Sequence, residues 1–197
     1  MKTYMIKKTN VKEDSWKTAN VALVNFSPWE EAKSPYNTKA QLLCDDEALY
    51  VHFETDETNI KAENNKRDSN VYEDSCMEFF ISPNSDDDRY FNFEINAIGA
   101  MLLSVRRDGV KCSDVEEDSE IFDIKTVITK NGWELFYKIP FSVMTKYFGK
   151  ISENMRGNFF KCGDKTEVEH YACWSNIEWE KPNFHLPQFF GTLSFEK

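Results

Sequence analysis

The stretch Val71–Ala97 constrains the fold of this chain more than any other. In Tyr90-Phe91-Asn92-Phe93-Glu94-Ile95-Asn96-Ala97, apolar Phe91, Phe93, Ile95 and Ala97 alternate strictly with Tyr90, Asn92, Glu94 and Asn96. A period of two residues is the mark of a strand with one face in the core. The preceding run Cys76–Ile81 puts Met77, Phe79 and Ile81 on the core face and Cys76, Glu78 and Phe80 on the other. Pro83, Asn84 and three aspartates between the runs supply a turn.

Antiparallel pairing about that turn, with residue numbers summing to about 172, sets Ile81 opposite Phe91 and Glu78 opposite Glu94. Like charges facing each other across a sheet destabilise it by ~0.2–1 kcal/mol. Two carboxylates in one patch therefore have no evident structural use. Two readings stay open: a binding face offering acceptors to hydroxyl groups, or a solvated polar face in a shifted register.

The rest of the chain reads as all-β. Sixteen Phe, eight Tyr and five Trp among 197 residues fall in short runs rather than at helical spacing, which favours sheets. A short edge strand is expected near Val21–Phe26 within an otherwise loop-like start over residues 1–37. Thr38–Cys44 and Ala48–Thr55 flank Asp45-Asp46-Glu47 as a hairpin. Residues 56–74 form a long polar loop that delivers Tyr72 beside the central hairpin. Met101–Val105 is a further strand, and residues 108–120 an acidic loop. Ile121–Thr129 and Trp133–Ile139 form a second hairpin across Lys130-Asn131-Gly132, with Trp133, Leu135, Tyr137 and Ile139 on its core face. Phe141–Phe148 is the one short helix, closed by Gly149. Arg156–Cys162, Tyr171–Trp174 and Phe190–Phe195 complete the strands. The expectation is one domain over residues 1–197, an antiparallel β-sandwich with jelly-roll-like character.

Composition excludes several functions. A formal net charge of −10 and the lack of a basic stripe argue against nucleic acid and against anionic membranes. No run reaches the ~18 apolar residues of a membrane helix. The start lacks the apolar segment of a signal peptide, so the chain as written is expected to be cytoplasmic, or extracytoplasmic if a signal has been removed. Five cysteines with no C-x-x-C pair fit free thiols better than disulfides or zinc. Asn84, Asp86 and Asp88 imitate the start of a calcium loop, but Arg89 stands where its glycine belongs.

The C-terminal third carries Arg156-Gly157-Asn158-Phe159-Phe160-Lys161-Cys162-Gly163-Asp164, His170-Tyr171, Trp174-Ser175, Lys181-Pro182, Phe184-His185-Leu186-Pro187 and Phe190-Gly191-Thr192-Leu193. With Asp45–Val51, Val71–Ser75, Glu78-Phe79-Phe80, Tyr90…Gly99 and Trp133-Glu134…Phe141, this order resembles the family 9 carbohydrate-binding modules and the related free-standing proteins. The resemblance spans about Trp16 to Phe195. It implies a β-sandwich in which two aromatic rings clamp a sugar at a chain end while polar side chains hold its hydroxyls. By position Tyr72 is similar to the first clamping ring, Trp174 to the second, and Glu78 to the sugar-binding carboxylate. Where the family carries an arginine on the neighbouring strand, Glu94 or Asn96 stands here, with Arg106 and Arg107 as substitutes. His185, Lys161 and Asn158 are secondary candidates.

No cofactor is required by the residues themselves; the resemblance implies structural Ca²⁺, with its ligands unassigned. The expected activity is non-catalytic binding of a mono- or oligosaccharide, a gluco- or xylo-type chain end as in cellulose or xylan, in support of glycan breakdown with a partner glycoside hydrolase. Two other readings remain: a glycoside hydrolase using Glu78 and Glu94, since carboxyls ~5–5.5 Å apart suit a retaining mechanism, and a protein-interaction sandwich with Phe80 in an exposed patch.

Overall fold

The computed structural model describes residues 2–196. Thirteen strands form one curled sheet that folds over into two layers. The first layer contains β5 (Cys76–Ser82), β6 (Tyr90–Asn96), β7 (Met101–Arg107), β8 (Val110–Asp114), β11 (Asn154–Gly163), β12 (His170–Cys173) and β13 (Gly191–Phe195). The second contains β2 (Ala22–Val24), β3 (Thr38–Cys44), β4 (Ala48–Thr55), β9 (Lys125–Thr129) and β10 (Gly132–Pro140). The strand β1 (Thr3–Lys8) joins them: its first residues pair with β13 and its last with β3.

Both pairings of β1 are parallel, so the sheet is mixed where a wholly antiparallel one was expected. The reason is that β1 lies between strands distant in sequence, where no hairpin dictates direction. Lysines flanking Tyr4-Met5-Ile6 concealed this strand within the loop-like start. A second difference is β8, fully exposed along its length, in the segment expected to be an acidic loop. The one α-helix among the described residues, α1 (Phe141–Phe148), follows Pro140 and ends at Gly149, whose φ of 77° suits its missing Cβ. No helix of the described residues is long and apolar enough to cross a membrane.

The central hairpin has the register read from the sequence: Ile81 faces Phe91 and Glu78 faces Glu94. Its inner face, Met77, Phe79, Ile81, Phe91, Phe93 and Ile95, joins Trp133, Leu135, Tyr137 and Ile139 of β10 in the main core. Phe93 meets Tyr137 across the layers at 5.7 Å between ring centroids. The outer face is not solvated. Cys76, Glu78, Phe80, Tyr90, Asn92, Glu94 and Asn96 are all buried: the segment between β12 and β13 folds back over Phe80 and Tyr90, and the long loop before β5 holds Asn96. Phe184 stacks on Phe160 at 4.2 Å and His185 on Phe80 at 4.9 Å, building a second apolar cluster. Phe80 is thereby removed from any exposed interaction patch.

Candidate functional site

Where this cover stops short, the outer face of β5 and β6 opens into a cavity of about 350 Å³. Glu78 and Glu94 lie at its floor with Cys162 of β11; Arg106 of β7 closes one side. Tyr72, Tyr171 and Phe184 give it aromatic walls, and Asp164, Asn183 and His185 complete the rim.

Each group is placed by local structure. Strand alternation puts Glu78, Glu94 and Arg106 on one face, and a bulge between Val105 and Arg106 re-aims the arginine. Arg106 donates from Nη1 to the Gly109 carbonyl at 2.8 Å and from Nε to Ser104 Oγ at 3.2 Å. Tyr72 rides on a 3-10 turn, Val71–Glu73. That turn is fixed to the end of β11: Asp164 N donates to the Tyr72 carbonyl and Lys165 N to the Glu73 carbonyl, both at 3.1 Å. His185 is neutral: burial, then the nearby Arg106 charge, lowers its pKa to about 4, which suits a bond of 3.0 Å between its Nδ1 and the Tyr90 hydroxyl.

The two glutamates are each 4% exposed. Asn92 Nδ2 donates to Glu94 Oε1 at 2.6 Å, and Asn92 is itself held by Ser104 Oγ, which donates to its Oδ1 at 2.6 Å. The other oxygen, Glu94 Oε2, is buried without a hydrogen-bond partner. Glu78 Oε1 accepts from the Cys162 thiol at 2.9 Å. Burial lifts the Glu94 carboxyl to about 7 and Asp164 to about 6. Burial, reinforced by Cys162 and Glu94 nearby, raises Glu78 well above the carboxylate range. A buried acceptor without a donor is costly, and Glu94 is among the residues that line the cavity.

The structure brings Tyr72, Glu78, Glu94 and Arg106 together and leaves three candidates elsewhere. Trp174 is a core residue, with its ring 5.5 Å from Phe159 and 6.3 Å from Tyr4, so it does not face Tyr72. On β12, Ala172 packs into the main core and Cys173 into the outer cluster; the next residue, Trp174, points inward again. Tyr171, of the opposite parity, reaches the cavity instead. Asn96 is spent on the long loop: its Nδ2 donates to the Asn64 carbonyl at 2.7 Å and to Asp74 Oδ2 at 2.9 Å. Arg107 is exposed, opposite Val110 on the edge strand.

Of the secondary candidates, only His185 lines the cavity. Asn158 bonds the Ser175 backbone, and Lys161 is buried in an ion pair with Glu57 at 3.0 Å. Sequence reasoning did not single out Asp164, Tyr171 or Phe184 as contacts, although all three stand in the C-terminal motif set.

Two donor groups among the described residues converge enough to consider a metal: Cys76, Glu78 and Cys162, and His52, Glu54 and Glu134. Neither fits the Ca²⁺ implied by the resemblance, because calcium takes six to eight oxygens and these sets offer thiol or imidazole. Burial also holds the thiols protonated, Cys76 pushed up to about 11 and Cys162 well above its ordinary value. In the acidic turn, Asp86 pairs with Lys150 and Asp87 with Arg89.

Comparison with solved structures gives a protein from Bacteroides uniformis described as a candidate carbohydrate-binding protein, at 28% identity and a TM-score of 0.83, with 99% of both chains covered. A carbohydrate-binding module of family 9 from Caldicellulosiruptor kristjanssonii, solved with cellotriose, matches at 16% identity and a TM-score of 0.72, covering 99% of this chain and 94% of that one. The same module solved with glucose matches equally, over 96% of its length. No curated protein matches. The family model of carbohydrate-binding family 9 matches residues 9–195, and with it the chain belongs to carbohydrate-binding family 9.

Proposed function

We propose that the cavity between Tyr72 and Phe184 binds one sugar residue at a glycan chain end without chemical conversion. The observation that carries this reading is Glu94, whose Oε2 is buried with no donor, lining a cavity with aromatic walls. A pyranose offers an apolar C–H face to a ring and a rim of hydroxyls to acceptors. Tyr72, Tyr171 and Phe184 supply the first, and Glu78, Glu94, Asp164 and Arg106 the second. The volume of about 350 Å³ is at the lower end for ligand sites, in keeping with one ring. A gluco-type end is favoured because the family module with the same fold was solved with glucose and with cellotriose. Such binding would hold the protein, or a glycoside hydrolase acting beside it, on a β-glucan or xylan.

Hydrolysis by Glu78 and Glu94 is the weaker reading. A glycosidase needs its carboxyls to flank the scissile bond. These two are direct cross-strand neighbours, on one floor beneath any guest.

The test is calorimetric titration with glucose, cellobiose and xylobiose. Binding at millimolar concentration or tighter is expected, and Tyr72→Ala and Glu78→Gln should each weaken it by about tenfold, the loss of a stacked ring or of a hydrogen bond to the buried carboxyl. Absence of heat with all three sugars at millimolar concentration would sink the proposal.

A further inference from the structure

We infer that the sugar this cavity is shaped to hold carries a positive charge: an amino sugar with a free ammonium group, seated against Glu94, Glu78 and Asp164. The inference rests on the sugar-binding reading and concerns which sugars are preferred.

Charge is the first observation. Three carboxyls line the cavity against one guanidinium, and the guanidinium is partly spent on the Gly109 carbonyl and Ser104. The other cations nearby are committed elsewhere. Lys165 pairs with Glu73 at 2.9 Å. Lys161, adjacent to Cys162, points through the sheet to Glu57. Among the described residues, no ion pair reaches Glu78, Glu94 or Asp164.

The second observation is independent of charge counting. Asn92 fixes Glu94 through Oε1, and Oε2 is held in place, buried and unpartnered, on a residue that lines the cavity. A preorganised acceptor with no protein donor is a position for a donor on the guest. An ammonium group supplies three donors and a full charge. Charge-assisted hydrogen bonds are roughly twice as strong as neutral ones, and a hydroxyl supplies one donor and no charge.

The walls agree with this. Tyr72, Tyr171 and Phe184 present π faces that attract a cation as well as a pyranose C–H face. Burial first, and neighbouring acidic groups second, raise Glu78, Glu94 and Asp164, and a cation seated among them would favour their ionised forms. A bare metal ion would satisfy the charge, but it would leave the aromatic walls and most of the volume without a use.

The experiment titrates the protein near neutral pH, at low salt and in EDTA, with glucosamine, galactosamine and mannosamine. Each is compared with its neutral parent and its N-acetyl derivative. At least one amine should bind about tenfold tighter than its parent, with the gain lost on acetylation, which removes the charge while keeping the nitrogen. The ratio of amine to neutral affinity should fall in Glu94→Gln. If glucose binds and no amine exceeds its parent, the charge inference is overturned and the sugar site stands. If no sugar of either kind binds, both fall together. Because the amine-to-neutral ratio is measured in the parent protein, the inference remains falsifiable even if the variant fails to fold.

Discussion

Glu94 holds its position through Asn92 on one oxygen and keeps the other buried without a partner, and its protonation records that burial. Burial raises it from an ordinary 4.5 to about 7. A carboxyl raised on folding keeps its proton more firmly in the folded chain. Its stabilising contribution is complete below about pH 4.5 and is lost as pH rises through about 7. Ionising it in place costs on the order of 3 kcal/mol. His170 and His185 run the opposite way. Burial lowers both to about 4, so the stability they confer is present above about 6.5 and lost as pH falls through about 4. The parent's profile partly cancels, and a difference isolates the carboxyl. The stability of Glu94→Gln relative to the parent should grow from about pH 5 to about pH 8, by on the order of 3 kcal/mol. Urea midpoints across that range measure it; a difference that stays flat would mean that Glu94 titrates as an ordinary carboxylate.

The central hairpin was legible because strict alternation over β6 and a turn rich in Asp put Phe91, Phe93 and Ile95 on the buried face, and of the registers that keep that face the structure has the one pairing Glu78 with Glu94. The helix α1 was legible through its Pro and Gly punctuation. The β12 strand was legible but its facing was not, since Tyr171, Cys173 and Trp174 are all apolar enough for either face and parity alone decides which ring lines the cavity. Nor was the cover over the outer face, because residues 174–190 hold no periodic pattern and dock through rings such as Phe184 and His185. These placements separate stability from binding. Trp174 packs on Phe159 and Tyr4, so Trp174→Ala should lower stability by ~3–5 kcal/mol. The milder Trp174→Phe should leave sugar affinity within about twofold of the parent, as expected for a position that does not touch the guest. Denaturant melts paired with calorimetry check both. A tenfold loss of affinity in folded Trp174→Phe would return Trp174 to the site.

Across the whole molecule, one polar network ties the two layers together behind the cavity floor. Glu57, just past β4, accepts from Trp133 Nε1 of β10 at 2.9 Å and from Ser75 Oγ at 2.8 Å. It also pairs with Lys161 of β11 at 3.0 Å, both side chains fully buried. Lys161 completes its bonds with His170 Nε2 at 2.8 Å and the Cys162 carbonyl at 2.9 Å. His170 can accept from the ammonium because it is neutral, its pKa lowered by burial first and by the Lys161 charge second. Cys162 and Ser75 flank the strand that carries Glu78, so the same network steadies the floor of the cavity. An ion pair out of water contributes little net stability over an apolar pair, but removing one partner strands the other. Glu57→Gln keeps the shape and the acceptor for Trp133 while leaving the Lys161 charge unpaired. It should cost ~3–5 kcal/mol. Changing both partners, as in Glu57→Gln with Lys161→Met, should recover at least half of that loss, measured as urea unfolding free energies in a double-mutant cycle. If the double variant were as unstable as the sum of the singles, Glu57 and Lys161 would be acting independently, and their ion pair would not couple the two layers.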